Sequence, residues 1–325
     1  MVSSKDIAKK AGVSQSTVSR VINNPEAVKK EKRDTVKKVM KELNYRPDSV
    51  ARSLLSNNTN QISLISGTLN NPFFVESTQR IINIAYYNGF SVNVYFEEDF
   101  QHDTLYNNVF SQKTEGIILS SMYCNSLHFD ELKNLGVPYI MFNRKHRNGG
   151  NFVELDNYQA GWLAGDYFIS KGHSNIHWMG GELEKSTFHG RYTGFKDALQ
   201  NHDIPVDAAN FSITVQSPEV IEKEIERIIS LPDSPTAIFA TTDMIASIVL
   251  DVLNRKGLQV PRDIAIIGVD NTKALQHSAF NLTSIGIDEN LGEIAIRHLI
   301  RMINEDKISE IQETLSCQLF ERGTV

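Results

Sequence analysis

Apolar positions along this chain follow two different rhythms. From Gln61 onward, short apolar runs are separated by longer stretches in which apolar residues recur every three or four positions. The runs Ile62–Ser66, Val92–Phe96, Gly116–Ser120, Tyr139–Phe142, Ile176–Gly180, Phe211–Val215, Ala237–Ala240 and Ile264–Gly268 are predicted strands. Between them, Phe73–Asn88, Tyr158–Lys171, Arg191–His202, Glu219–Ser230 and Met244–Lys256 are predicted amphipathic helices. Such alternation predicts parallel sheets with right-handed crossovers. So many units in about 265 residues predict two sheets rather than one. Two Rossmann-like lobes are expected, with crossings near Leu155–Asp156, Ile285–Asp288 and Ser316–Leu319.

Before Gln61 the rhythm is helical throughout. Ile7, Ala8 and Ala11 form one stripe, Val18, Val21 and Ile22 a second, and Val36, Val39, Met40 and Leu43 a third. Ser4 is the expected cap of the first helix, with Asp6 favoured by the dipole in its first turn. Gly12 follows as a left-handed terminator. Ser14 is the expected cap of the second helix, which Asn23-Asn24-Pro25 ends. The third helix is predicted over Lys30–Leu43. A short helix from Asp48 or Ser49 to Leu55 is predicted next, followed by a polar linker over residues 56–60. At about eight residues it is marginal in water and is expected to form only when packed against a partner. The chain thus divides into a small all-α head (residues 1–46), a hinge and linker (47–60) and a body (61–325). Within the body the N-lobe is expected over about 61–156 and 288–316, and the C-lobe over about 157–287 and 317–325.

Charge separates the same parts. Residues 1–59 hold 13 Lys and Arg against 6 Asp and Glu, whereas the remainder holds 20 against 33. The overall −6 therefore hides a basic head on an acidic body. A basic head attracts phosphate and releases counterions, and an acidic body discourages indiscriminate adhesion. With its apolar stripe turned inward, the second head helix presents Gln15, Ser16, Ser19 and Arg20. Gln and Arg make bidentate contacts to adenine and guanine edges. An ordinary solvent face is the alternative, but turn, residue types and charge together favour DNA reading.

In open α/β sheets ligands sit beyond the C-terminal strand ends, here in the cleft between lobes. That rule selects Asn70-Asn71-Pro72-Phe73-Phe74, Asn143-Arg144, the loop Ser186–Arg191, Asp243 and Asp270-Asn271. Amide and charged groups bond hydroxyls while an aromatic face covers C–H patches. Asp243 and Asp270 also have a simpler reading as helix caps, and one of Phe73 and Phe74 as core. Arg191, predicted to open a helix against an unfavourable dipole, calls for an anion or hydroxyl partner.

Much chemistry has no support. No GxGxxG follows a strand, and there is no Walker-type GK[ST] and no HExxH. His102, His128, His146 and His173 lack paired spacing with Cys or carboxylates, so neither metal nor cofactor is expected. Cys124 and Cys317 read as isolated reduced thiols. No apolar run approaches the ~18–20 residues that span a bilayer, so no membrane partner is expected. Without a signal peptide, the chain is expected in the cytoplasm.

Asp6-Ile7-Ala8, Gly12-Val13-Ser14 and Thr17 through Asn23, followed by Tyr45-Arg46-Pro47 and Ala51-Arg52-Ser53-Leu54, resemble the LacI/GalR family of bacterial transcriptional regulators. The likeness extends over the whole chain. It implies a helix-turn-helix head, a hinge helix and a periplasmic-binding-protein-like body acting as an effector-controlled DNA-binding regulator, expected to be a repressor. It places Ser4, Ser14, Gln15, Ser16, Thr17, Ser19, Arg20, Asn23 and Tyr45, with Ala51, Leu54 and Leu55 of the hinge, at the DNA. Leu54 matches a side chain that wedges a base step open in the minor groove. Leu55 departs from relatives that carry a polar or basic residue, and its role stays open. The resemblance assigns Phe73, Phe74, Asn143, Arg191, Asp243 and Asp270 to the effector pocket.

Several relatives carry an aromatic near Gln216, and its absence favours a sugar or glycoside effector over a purine or other metabolite. The chain ends without a leucine heptad tail, so a homodimer on a palindromic double-stranded operator is expected. Two rivals remain. The body alone would suit a solute-binding protein, against which the basic head argues. An enzyme using Asp243 and Asp270 as acid and base is the other, but paired carboxylates serve equally well as ligand acceptors.

Overall fold

The computed structural model describes residues 2–45, 59–97, 102–214, 217–305 and 309–325, in two compact units, Met1–Thr59 and Asn60–Val325. The first contains α1 (Ser4–Ala11), α2 (Gln15–Asn23) and α3 (Lys30–Glu42). Ile7, Ala8, Val18, Val21, Val36 and Val39 form its core, with Ile22, Met40, Leu43 and Tyr45 partly buried against it. The cap of α1 is Ser3 rather than Ser4. Its Oγ accepts from the Asp6 amide at 3.3 Å while the Asp6 carboxylate accepts from the Ser3 amide at 2.9 Å. This reciprocal pair is a capping box, displaced one residue from the expected position because only Ser3 has the required spacing to Asp6. Gly12, at φ +65°, ends the helix, and Ser14 caps α2. The predicted hinge helix, with Ala51, Leu54 and Leu55, lies outside the described residues, as does Gln216.

The second unit runs β1 (Gln61–Ser66), α4 (Pro72–Tyr87), β2 (Ser91–Phe96), α5 (His102–Phe110), β3 (Gly116–Leu119), α6 (His128–Asn134), β4 (Tyr139–Phe142) and β5 (Phe152–Leu155). It continues through α7 (Asn157–Ser170), β6 (Ile176–Gly180), α8 (Ser186–Asn201), β7 (Phe211–Ile213), α9 (Pro218–Ile229), β8 (Ala237–Ala240), α10 (Asp243–Arg255), β9 (Ala265–Val269) and β10 (Ser284–Gly286). Last come α11 (Leu291–Asn304), β11 (Gln312–Leu315) and β12 (Gln318–Phe320). Two six-stranded sheets result, ordered β11-β5-β4-β3-β1-β2 and β12-β10-β9-β8-β6-β7. The first is wholly parallel, and in the second only β12 runs antiparallel, against β10. The chain passes between sheets after β5, after β10 and after β11.

Both faces of each sheet are covered, which is why its central strands are continuously apolar. In the N-lobe, Ile62 and Leu64 of β1 face α4 and α11, while Ile65 faces α5 and α6. In the C-lobe, Ile238 of β8 faces α9 and α10, while Phe239 faces α7 and α8. Strand order reverses beside β1 in one sheet and beside β6 in the other. Loops leaving the C-terminal ends at these reversals diverge and leave a crevice.

Candidate functional site

Two arrangements stand out. On the head, burial of Val18 and Val21 turns Gln15, Ser16, Ser19 and Arg20 outward, and all four are exposed. Gln15 Nε2 donates to Ser4 Oγ at 3.0 Å, so the start of α1 orients the first residue of α2. The Ser14 hydroxyl lies 2.8 Å from Ser16 Oγ and 2.9 Å from Thr17 Oγ1. Tyr45 leans on the head core, with its amide donating to the Met40 carbonyl at 2.8 Å.

In the body, an open cleft of about 750 Å³ lies between the lobes. An inner pocket of about 10 Å³ shares Phe73, Asn143, Arg191 and Asp270 with it. These four leave different elements. Phe73 occupies the first turn of α4, where Asn71 Oδ1 accepts from its amide at 3.0 Å. Asn143 and Asp270 follow β4 and β9 with positive φ, +68° and +118°. A side chain tolerates such conformations poorly, and strained backbone of this kind concentrates at functional sites. Phe74 turns inward and is buried, its ring against Gly67, so it is the core member of the pair, although it also reaches the inner pocket.

Arg191 lies in the second turn of α8, which begins at Ser186, so the expected helix-opening position is corrected. Its guanidinium is buried, and each of its nitrogens has one partner within the protein. Nε donates to Asn157 Oδ1 at 3.0 Å, Nη1 to the Thr241 carbonyl, and Nη2 reaches Asp270 Oδ1 at 3.4 Å. Burial, reinforced by the neighbouring Asp243 charge, pushes the Asp270 carboxyl up to about 7, with Arg191 opposing the shift.

Asp243 does not reach the cleft. It is fully buried, and Thr242 rather than Asp243 caps α10. The Asp243 carboxylate accepts from the Thr272 amide at 2.7 Å, Thr272 Oγ1 at 2.9 Å and Ser284 Oγ at 2.6 Å. Burial pushes it up to about 6 against those hydrogen bonds. Its acceptor capacity ties the loop after β9 to β10, leaving little for a ligand. The inner wall also holds Asn71, Arg144, Thr187 and Phe188, all within stretches that the strand-end rule selects, and Thr242, which it does not. Thr187 and Phe188 lie in the first turn of α8 and not in a loop, because the helix starts before the predicted boundary.

Known proteins resemble both parts of the chain. Residues 4–48 match the model described as "Bacterial regulatory proteins, lacI family", and residues 166–325 match a periplasmic binding protein-like domain. The chain is 33% identical over 337 residues to the "HTH-type transcriptional repressor PurR" of Serratia proteamaculans, covering 100% of this chain and 97% of that protein. It is 32% identical over 309 residues to the protein of the same name from Mannheimia succiniciproducens, covering 93% of this chain and 92% of that one. The chain belongs to the lacI family of bacterial regulatory proteins.

As a lacI-family member it is a DNA-binding transcriptional repressor and not an enzyme. The fold agrees. The lac repressor dimer bound to operator superposes with a TM-score of 0.85 at 24% identity, covering 99% of this chain and 98% of that one. A LacI family regulator from Enterococcus faecium with bound ribose gives 0.73 at 25% identity, covering 81% of this chain and 98% of that one. Among the described residues, no helix is long and apolar enough to cross a membrane and no His, Cys, Asp and Glu cluster could hold a metal ion.

Proposed function

We propose that this repressor acts in the cytoplasm as a homodimer on a palindromic double-stranded operator, under control of a small effector held between its lobes. The observation that carries effector control is the convergence of Phe73, Asn143, Arg191 and Asp270, from both lobes, on one cleft. A ligand touching both sheets has different contacts at each lobe angle, and that difference is what shifts a conformational equilibrium. Asn143, Arg191 and Asp270 beside the face of Phe73 suit a polyhydroxyl ligand, a sugar or glycoside. The ribose in the Enterococcus faecium structure supports the same chemistry. A homodimer is supported by Val75, Ile82 and Tyr86, which lie along one face of α4 and are 42, 40 and 75% exposed.

Two measurements test this reading. A thermal-shift screen of the full chain against sugars, glycosides and nucleobases is expected to find a sugar. A ligand at 100 times its Kd stabilises by ~2.7 kcal/mol. A shift with nucleobases alone replaces the sugar by a purine-type effector. For the head, duplexes selected by the wild-type protein from a random library supply the operator. Arg20→Ala and Gln15→Ala are each expected to weaken that complex by ~1–3 kcal/mol with unchanged thermal stability. Retained specific binding by both variants overturns the assignment of the reading face.

A further inference from the structure

The inner pocket carries an imbalance of charge that its own residues leave open. Arg144, the second residue after β4, is 7% exposed and lines the pocket together with Arg191. Its Nη1 donates to the Ser121 carbonyl, but its Nε has no hydrogen-bond partner. Among the described residues no carboxylate lies within 4.0 Å of the Arg144 guanidinium, whereas Arg191 has Asp270 at 3.4 Å. Two buried guanidinium groups thus face one pocket against one paired carboxylate. Glu97 is near enough to favour the charged form of Arg144, but its carboxylate accepts from Tyr106 Oη at 3.4 Å and does not line the pocket. Removing a charge from water without a partner costs several kcal/mol.

The backbone adds the same sign. Phe73 and Thr187 lie in the first turns of α4 and α8, and Thr242 caps α10. Three long helices therefore direct their N-terminal ends toward the region of the two arginines, and such ends favour anions. Burial pushes Arg144 below its ordinary value and the charge of Arg191 adds to that shift, while Asp270 is pushed up to about 7. Negative charge entering the pocket relieves the shift of Arg144, and the raised Asp270 carboxyl presents less negative charge to oppose it.

This inference rests on the effector-cleft reading above. We propose that the effector is an anionic polyol, a sugar acid or sugar phosphate, whose negative group is held jointly by Arg144 and Arg191. Its hydroxyl-bearing body extends past Asn143 and Asp270 over Phe73. The inner pocket of about 10 Å³ has room for roughly one water, so a carboxylate or phosphate enters only by displacing its walls. Those walls come from both lobes, Asn71 and Arg144 on one side and Thr187 and Thr242 on the other. Charge recognition is thereby tied to the lobe angle.

Calorimetric titration of the full-length protein at pH 7 with two matched series tests the proposal. D-ribose, D-ribonate and D-ribose 5-phosphate form one, and D-glucose, D-gluconate and D-glucose 6-phosphate the other, with acetate and inorganic phosphate alone as controls. In at least one series an acidic member is expected to bind about tenfold or more tighter than its neutral parent. The preferred acid distinguishes carboxylate from phosphate. Arg144→Gln is expected to remove that advantage, so that acid and neutral parent bind within about twofold of each other. Arg144→Lys, which keeps the charge, retains part of it. If Arg144→Gln does not fold, the wild-type comparison of neutral and acidic ligands and the Lys variant decide. Neutral sugars binding as tightly as their acids would overturn the anionic class and leave the sugar reading standing. Binding of inorganic phosphate as tight as that of the sugar phosphates would mean an adventitious ion only. No binding by either series, or binding of a nucleobase alone, overturns both.

Discussion

His177 of β6 is buried, with its Nε2 2.7 Å from Ser212 Oγ. Burial holds its imidazole down at about 4, against 6.5 for the unfolded chain, even though the nearby Glu224 charge pulls the other way. The folded state therefore binds fewer protons than the unfolded state between these values. The corresponding stability, on the order of 3 kcal/mol, is present above pH 6.5 and lost as pH falls through about 4. Asp243 and Asp270 act in the opposite sense, since their raised values near 6 and 7 mean that the folded state binds more protons above the ordinary 3.8. Their burial weakens the fold as pH rises from about 4 to 7, so the whole-protein profile sums terms of both signs. His177→Gln separates them, because glutamine keeps a polar group beside Ser212 and does not titrate. The Tm of the variant relative to wild type is expected to rise as pH is lowered from 7 to 4. A constant offset would show that His177 is not held neutral by burial. No feature of the sequence around His177 marks it out, because its burial comes from strands and helices distant along the chain.

At the scale of elements, α7 and α8 cross so closely that glycine is required at the contact. A Cβ on Gly161 would overlap the Arg191 carbonyl oxygen, and one on Gly194 would overlap the Tyr158 carbonyl oxygen. The crossing fixes the turn of α8 that carries Arg191, so helix packing and cleft geometry are linked. Gly161→Ala is expected to cost ~1–3 kcal/mol in thermal unfolding and also to weaken binding of any cleft ligand found in the screen. Normal affinity in a destabilised Gly161→Ala protein would show that the crossing does not position Arg191. Capping gives a second prediction. Ser3→Ala is expected to remove ~1 kcal/mol of protection from the α1 amides in hydrogen exchange, while Ser4→Ala leaves them almost unchanged.

The cap also shows what local sequence can and cannot settle. Ser3 and Ser4 are both good capping residues, and the three-residue spacing from Ser3 to Asp6 is the local signal that selects between them. Central strands such as β4, β6 and β8 were legible because burial on both faces makes them continuously apolar. Strands β11 and β12 at the sheet edges, with Gln312, Glu313 and Gln318, were not, because an edge needs no apolar run. The first turns of α8 escaped for a related reason. Ser186, Thr187 and His189 carry no helical periodicity, and tertiary contacts supply what local pattern lacks. In the cleft, strand-end position pointed to Phe73, Asn143 and Asp270. It could not reveal that three donors from the loop after β9 and from β10 had already occupied Asp243.

For the whole molecule, the question is what holds the two lobes at their present angle. Among the described residues, the hydrogen bonds that cross the cleft include Tyr123 Oη donating to Glu182 Oε2 at 3.0 Å, the Cys124 amide to the Glu184 carbonyl at 3.4 Å, the Lys145 amide to Ser186 Oγ at 3.1 Å and the Lys273 amide to Glu76 Oε1 at 2.9 Å. Tyr123 lines neither the outer cleft nor the inner pocket. Tyr123→Phe therefore removes an interlobe bond without altering the surface offered to a ligand. A hydrogen bond to a charged group is worth ~1.5–3 kcal/mol. If the angle seen here is the one that binds effector, the variant populates it less. Its apparent affinity then falls by the corresponding fraction, up to about tenfold if ~1.4 kcal/mol is lost. Because the change lies in the equilibrium rather than in the pocket, the ratio of affinities among different ligands is expected to stay constant. Coupling between two binding sites is reciprocal, so the variant must also shift operator affinity, in the direction opposite to the effector if effector closes the lobes. Titrating wild type and Tyr123→Phe with ligand, and with selected operator in its presence and absence, measures both sides of that cycle. Unchanged affinities on both sides would mean that this bond does not bias the lobe angle. A changed ligand ratio would instead place Tyr123 in the recognition surface.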